Sequence, residues 1–600
     1  YLSGAGKSTL LNVLTQRNDR DLRVFGEVAI NNIVVENGNM KRYSAYVQQE
    51  DMFIAEVTVE EQLMFAARLR MPKNTTEDER KETVENLITS MGLIKCRYSR
   101  IGTATEKFIS RSERKRLAFA SEIITNPSIL FCDEPTSGLD SFMALQVIAA
   151  LKTLALKAKT VISTIHQPST EVYQMADRII LLANGHVAYH GDMNGVEKFF
   201  TSCSYPCPMF VNLPDHFMKV LCRDENTPEQ EHNKRVKEIV NEFECSEDGK
   251  HVHYVTHIFT STQKRMKFDT NRRRGYPSSW LVQAWWLFMR SCRTQLRNSA
   301  VLRIRFLHVT ALSLILGCVY YQVEFTKDSL MNYKGSAIRA SLDMVFIFLY
   351  PCISVFTGEL PIVIREYHAH TYHPTAFFAA TNLANVPQYI ILPTIYSVIV
   401  YGFAGYSKLF LQYFEFNVLN VTVANVATSA GYAAACIFGD NITATTFFPL
   451  IISPLLVLAG FFIDVRSIPI YFEIFTPLSW FKYSYEAHLI VLLRPINEIK
   501  GCPSNNTYDA LICSANNGEE LLKVLGFNPN SYWTNIFVLV LMIIGKEVFT
   551  LQKKESGETI YYYVLQEILT MFCHGSSTRV LTCGARGLCG ILVEETGRHM

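Results

Sequence analysis

Between Leu2 and about Leu221, short apolar runs at Val24–Ile30, Ser128–Cys132, Thr160–Thr164 and Arg178–Leu182 alternate with stretches whose apolar residues recur at helical spacing. That rhythm predicts buried strands wrapped by helices, an α/β domain over 1–221. From Cys222 to about Pro277 polar residues take over, with Asp224-Glu225-Asn226 ahead of Thr227-Pro228 and a basic cluster at Arg272-Arg273-Arg274, the composition of a linker over 222–277 or, for its helical middle, of a solvated face of the first domain. The chain then turns apolar. Runs at Phe306–Tyr321, Ala340–Phe356, Pro387–Tyr406, Phe414–Phe438 and Thr443–Ile463 approach the ~20 residues that a membrane-spanning helix needs. A sixth run, Trp533–Ile544, is cut short by Lys546 and Glu547, so an all-α six-helix transmembrane domain is expected over 278–545 with its last crossing incompletely written. No apolar periodicity marks the tail 546–600, and no structure is expected for it.

Charge orients these elements. Arg290, Arg293, Arg297, Arg303 and Arg305 crowd the start of the first span, which by the positive-inside rule keeps the N-terminal domain cytosolic. Aromatic and apolar residues interleaved with arginines over Gln283–Arg297 predict an amphipathic helix at the membrane surface. Counting crossings puts about 464–532, including Arg466, on the outside as the largest external loop. Cys502 and Cys513 there either pair or remain free thiols, and Asn505-Asn506-Thr507 is a glycosylation sequon. The sequons at Asn74-Thr75-Thr76 and Asn441-Ile442-Thr443 fall on the cytosolic side and are discounted. Asp343, Asn420 and Asn425 inside apolar runs are expected to face the bundle or a wet cavity, because a charge at mid-bilayer costs ~2.5–3.5 kcal/mol on insertion scales. Phe346, Phe348 and Tyr350 are candidates to line a path for a flat cargo.

Length and composition narrow the function. A chain of 600 residues exceeds the ~250–300 at which single cores stop growing, so at least two domains are required. A formal net charge of +2 without a basic stripe argues against nucleic acid as a partner. The cysteines of the first half show no zinc-ligand spacing with histidines. Long apolar runs argue equally against a soluble ATPase, leaving membrane lipid and a small molecule as the expected non-protein partners.

The chemistry is carried by a few short motifs. Gly4-Ala5-Gly6-Lys7-Ser8-Thr9 opening a helical pattern is a phosphate loop, although Tyr1 stands where its first glycine belongs, so the strands ahead of it are expected to be missing. Its glycines admit backbone N–H groups to phosphates, Lys7 reaches the β and γ oxygens, and the Ser8 hydroxyl is a magnesium ligand. Ser128–Cys132 reads as a buried strand ending in Asp133 and Glu134, the first a metal partner and the second a candidate base for an attacking water. ATP and Mg2+ are the cofactors expected.

With Ser137-Gly138-Leu139-Asp140 following directly, the sequence resembles the ATPase of ABC transporters. The resemblance makes Asp133 and Glu134 the end of the Walker B strand, Ser137 to Asp140 the D-loop with Asp140 at the nucleotide, Gln49 the Q-loop glutamine on magnesium, and His166 the switch histidine beside the γ-phosphate. Ile109-Ser110-Arg111-Ser112-Glu113 occupies the place of the family signature, whose Ser-Gly-Gly amides meet ATP held by the opposite subunit. Ser110 remains, but both glycines are gone and Arg111 brings a long side chain. The order of ATPase before membrane domain, with Gly358-Glu359-Leu360-Pro361, Arg365-Glu366, Gly460-Phe461-Phe462 and Pro477 to Tyr483, is similar to the G subfamily of half-transporters. Glu113–Glu122 and Phe131–Leu145 are most similar to its White-type members.

That resemblance implies a multi-pass protein of the plasma membrane or a vesicle membrane that moves a pigment precursor or another small, partly apolar molecule. It implies a dimer, with a heterodimer favoured over a homodimer because a homodimer would carry the degenerate signature twice. The second reading is a catalytically impaired or regulatory subunit of a heterodimer. Glu359–His373 is implied to join the second and third spans and touch the ATPase domain near Gln49; Tyr372-His373 departs from the subfamily's usual Tyr-Arg.

Overall fold

The computed structural model describes residues 6–17, 22–31, 33–35, 40, 43–102, 108–223, 228–261, 276–326, 329–406, 409–463, 467–497, 499, 515 and 517–556. Gly4, Ala5, the Arg272–Arg274 cluster, Arg466, Cys502, Cys513, the Asn505 sequon and the tail beyond Ser556 lie outside the described residues. The chain divides into two compact units, Tyr1–Arg297 with Ile364–Phe377, and Asn298–Val363 with Phe378–Met600.

In the first unit the strands Ser44–Val47, Ile129–Cys132 and Thr160–Ser163 form a parallel sheet with the Ile129–Cys132 strand in the middle. Leu130, Phe131 and Cys132 are fully buried, which explains a run of consecutive apolar residues rather than an alternation. Helices Val59–Arg70, Arg111–Ile123 and Ser141–Leu156 contribute Val59, Leu63, Leu117, Phe119, Val147 and Leu151 to the same core. The strand expected at Val24–Ile30 is only Ala29–Ile30, paired with Ile33–Val34. Arg178–Ala183 turns back on His186–Asp192 through Asn184-Gly185, both at positive φ as the right-handed strand twist favours.

The first half of the segment expected as a linker is folded. Helix Glu229–Cys245 buries Val236, Ile239, Val240 and Phe243, at i, i+3, i+4 and i+7, in a core shared with Tyr189, Phe199, Phe200 and Phe217. The helix expected near Gln283–Arg297 spans Trp280–Arg297, and its buried stripe is Gln283, Leu287 and Arg290. That stripe packs on protein, while Trp280, Leu281, Trp285 and Leu296 remain exposed on the helix. Its partners are protein: Arg290 lies 4.1 Å above the Phe65 ring, Arg68 lies 3.7 Å above Trp286, and Arg297 pairs with Glu61.

Among the described residues four helices are long and apolar enough to cross a membrane, and most of their length lies in the second unit: Ala300–Val319, Leu330–His368, Pro374–Ala404 and Phe410–Phe438. Asn441–Val457 and Tyr532–Gly545 are shorter apolar helices. The fifth expected run therefore ends as a helix at Val457 rather than Ile463. The last run continues as a helix through Lys546 and Glu547 to Ser556. The Leu330–His368 helix has 39 residues, about 58 Å at 1.5 Å each, and passes through Pro361, so the Glu359–His373 connection is helical as far as His368, and its residues from Ile364 on fall in the first unit.

Within 464–532, expected as a loop, Trp480–Leu493 is a helix with Phe481, Tyr485 and Leu489 to Leu493 buried. It caps on Ser479, whose hydroxyl also donates to the Leu455 carbonyl at 2.6 Å. Asp343 and Asn420 are buried among neighbouring helices, whereas Asn425 is only partly buried. Asp343 pairs with Arg339 and accepts from Tyr396, Asn420 donates to Ser397 and lies 3.1 Å from His488, and the Asn425 amide donates to the Val421 carbonyl. Phe348 is buried, whereas Phe346 is exposed and stacks on Tyr350.

At Gly431 the Phe410–Phe438 helix packs closely on the Leu330–His368 helix. A Cβ there would stand 3.0 Å from the Leu349 carbonyl oxygen and 3.1 Å from the Cys352 Cβ. Gly431→Leu is expected to pry these helices apart, since small residues let membrane helices approach closely. Size-exclusion profiles in detergent should show loss of the monodisperse protein, while Gly402→Ala, with open space at its Cβ, leaves the profile unchanged.

Candidate active site

The parallel register brings three strand ends to one edge. Val47 pairs with Cys132 and Cys132 with Ser163, so Gln48-Gln49, Asp133-Glu134 and Thr164 to His166 emerge side by side at the carboxyl ends, where open α/β sheets bind ligands. Helix Lys7–Leu14 starts there from Gly6, whose φ of +88° is a left-handed conformation that glycine adopts without strain. A cleft of about 770 Å³ results, lined by Gly6, Lys7, Ser8, Thr9, Gln49, Glu134 and His166 together with the Thr136–Leu139 turn.

Inside it the acidic pair is held from several directions. The Ser8 hydroxyl donates to Asp133 Oδ1 at 3.0 Å, and Thr164 Oγ1 donates to the same oxygen at 2.6 Å. Tyr46 donates to Asp133 Oδ2 at 3.3 Å, and burial together with the neighbouring carboxylate pushes its phenol well above the ordinary range, so it remains a donor. Thr164 Oγ1 also accepts the Glu134 backbone N–H at 2.9 Å. Glu134 has φ +43°, a left-handed geometry that costs a non-glycine residue about 1–3 kcal/mol and is concentrated at functional sites. Its carboxylate accepts from the Gln49 amide at 2.8 Å and lies 3.6 Å from the Lys7 ammonium.

The structure thus brings together Gly6, Lys7, Ser8, Thr9, Gln49, Asp133, Glu134 and His166. It does not bring Ser110 or Asp140 to this cleft. Ser110 caps helix Arg111–Ile123 in a reciprocal box with Glu113, and Asp140 caps helix Ser141–Leu156 through the Met143 N–H. The Arg111 guanidinium donates instead to the Gly138 carbonyl at 3.3 Å. Sequence reading missed Thr164 and Tyr46. Each sits at or just past the carboxyl end of a strand of the parallel sheet, and that placement was the available signal.

Comparison with known proteins agrees with this geometry. Residues 2–137 match the ABC transporter family, residues 282–493 the ABC-2 type transporter family, and residues 166–240 a further ABC-2 type family. The ABC transporter ATP-binding protein/permease wht-1 of Caenorhabditis elegans is 38% identical over 554 residues, covering 90% of this chain and 82% of that protein. Protein white of Drosophila melanogaster is 33% identical over 551 residues, covering 91% and 79%. Protein scarlet of the same fly is 30% identical over 551 residues, covering 90% and 81%.

Fold and site together define an ATP-binding cassette ATPase followed by a helical membrane domain. The chain belongs to the ABC-G family of half-transporters. It is a multi-pass membrane protein with a cytosolic ATPase domain, it binds nucleotide, its ATP hydrolysis is coupled to transport, and it works as a dimer.

Proposed function

We propose that this chain is the hydrolytically competent half of a heterodimer with two unequal ATP sites, moving a pigment precursor or a similarly small, partly apolar molecule. The observation that carries it is the asymmetry between two parts of one domain. The Lys7, Ser8, Gln49, Asp133 and Glu134 cluster is fully assembled. The signature segment, which by resemblance faces ATP held by the partner, presents Arg111 and has its Ser110 hydroxyl engaged in a helix cap. A partner with an intact signature would complete the site on this chain's phosphate loop. The nature of the cargo rests on the likeness of Glu113–Glu122 and Phe131–Leu145 to White-type members.

In this reading the Lys7 ammonium binds the β and γ phosphoryl oxygens of ATP, and His166 lies beside the γ-phosphate. Glu134 takes a proton from the attacking water as its oxygen bonds to the γ-phosphorus and ADP departs. Gln49, already on Glu134, orients that carboxylate. Magnesium fits the donors present, because Ser8 Oγ and Asp133 Oδ1 are hard oxygens 3.0 Å apart and Mg2+ is commonly held by one or two protein oxygens plus substrate phosphates. When bound there it neutralises charge on the phosphoryl oxygens.

Vanadate-sensitive ATP hydrolysis by the purified chain alone and with a co-expressed White-type partner tests the proposal. Activity that requires the partner is the expected result. Equal activity in the chain alone would show that Arg111 is tolerated and would remove the reason for a heterodimer. The contact of Arg111 with Gly138, at the cleft rim, favours a regulatory subunit as the second reading, and absence of hydrolysis with every partner would select it.

A further inference from the structure

We propose that Lys115 is a positioning residue for hydrolysis at this chain's own ATP site, its ammonium fixing the Gln48–Asp51 loop so that the Gln49 side chain stays on Glu134. The proposal rests on the reading of Gln49 and Glu134 given above. Lys115 is 2% exposed, and its Nζ donates to the Gln49 carbonyl at 2.7 Å, the Gln48 carbonyl at 3.4 Å and Asp51 Oδ1 at 3.2 Å. All three ammonium protons are thereby directed at one four-residue loop. The side chain of that same Gln49 reaches Glu134 Oε2 at 2.8 Å.

A buried cation is an expensive way to fill space. Replacing a buried ion pair by apolar residues of similar volume is often neutral or stabilising. Lys115 holds two backbone carbonyls as well as a carboxylate, and what it gains is therefore loop geometry. The loop is bracketed from the other side as well: Arg365 lies 5.0 Å above the Phe53 ring and shares a water-sized cavity with Gln48, Asp51 and Glu122.

The position of Lys115 also explains how two successive turns of one helix diverge. It sits one turn beyond Ser110 in helix Arg111–Ile123, whose first turn carries the residues that replace the signature glycines. In its second turn the helix supports its own domain: Lys115 grips the Gln49 loop while Arg114 donates to the Ile101 carbonyl at 3.0 Å. Loss of the signature glycines thus leaves the support of this chain's own cleft in place.

The test uses the full-length dimer in membranes, with Lys115→Met, Lys115→Arg, Gln49→Ala and the double variant Lys115→Met/Gln49→Ala. Lys115→Met is expected to lower kcat on the order of 10–100-fold, as a small misplacement of a catalytic group does, with KM for ATP little changed. Lys115→Arg should recover most of the rate. The double variant should turn over no more slowly than Gln49→Ala alone, because residues acting as a unit are not additive. Losses that multiply in the double variant would overturn the proposal, as would an Lys115→Met protein of lower Tm but unchanged kcat per folded dimer. Should Lys115→Met fail to assemble, Asp51→Asn carries the same comparison with Gln49→Ala, and an unchanged kcat there is likewise fatal. Full activity of Gln49→Ala by itself would instead remove the underlying reading of the site, an outcome distinct from failure of the Lys115 argument.

Discussion

Glu134→Gln should cut ATP turnover by about 10²–10⁴-fold, the range general-base catalysis contributes, while leaving nucleotide binding intact. The amide keeps the size of the side chain and can still occupy the position between the Gln49 amide and the Lys7 ammonium, but it cannot take up a proton. Phosphate release measured beside equilibrium binding of a fluorescent ATP analogue separates these effects. A variant that loses binding and turnover together would show that the carboxylate holds the cleft open rather than acting on water. A variant that keeps its turnover would take Glu134 out of the chemistry.

A comparably large effect is expected at Glu366, in the stretch Ile364–Phe377 that belongs to the ATPase-bearing unit. Arg290 Nη1 lies 2.9 and 3.0 Å from the two carboxylate oxygens of Glu366, Arg290 Nη2 adds a 3.1 Å bond, and Tyr372 donates at 2.6 Å, all three residues being buried. Glu366→Gln leaves the Arg290 guanidinium buried beside Phe65 without its counter-charge, and removing one partner of such a pair costs about 3–5 kcal/mol. Thermal unfolding of the purified dimer should register the loss, and Arg290→Met together with Glu366→Met should recover much of it. Because residues 364–377 run directly into the second and third membrane helices, the single variant should also move less cargo per ATP hydrolysed. Wild-type stability in Glu366→Gln would mean that the pair is solvated in the working protein.

What could be read from the sequence was chemistry written in contiguous residues. The phosphate loop, the apolar strand before Asp133-Glu134 and the turn after it each carry their meaning within a dozen positions, and all meet in one cleft. The contacts that complete the site join residues far apart in the chain. Thr164 meets Asp133, Tyr46 meets Asn12 and Asp133, and Lys115 meets Gln49; a place at a strand end hints at the first two, but no local pattern distinguishes Lys115 from an ordinary helix neighbour. Asp140 and Ser110 illustrate the converse: their motifs are legible, but within this chain both side chains serve as helix caps.

In the membrane half, two helices were misread for physical reasons. The Leu330–His368 helix runs well past the apolar run Ala340–Phe356 and on through Pro361, because a bundle can re-satisfy the backbone groups a proline leaves unpaired. Trp480–Leu493 lies within 464–532, which counting crossings made an external loop, but its 14 residues form a helix buried against the Phe410–Phe438 helix through contacts such as His488 with Phe416. The stretch 222–277 looked like a linker by its average polarity, although Val236, Ile239, Val240 and Phe243 form a narrow apolar stripe that buries one helical face.

In the reading proposed above, this chain's own phosphate loop and carboxylates form the working ATP site of a dimer whose other site is impaired. Vanadate trapping of a photoreactive ATP analogue in the heterodimer, followed by separating the two chains, tests it most directly. The account predicts label on this chain, lost in Glu134→Gln and unaffected by the corresponding change in the partner. Label trapped on the partner alone would contradict it.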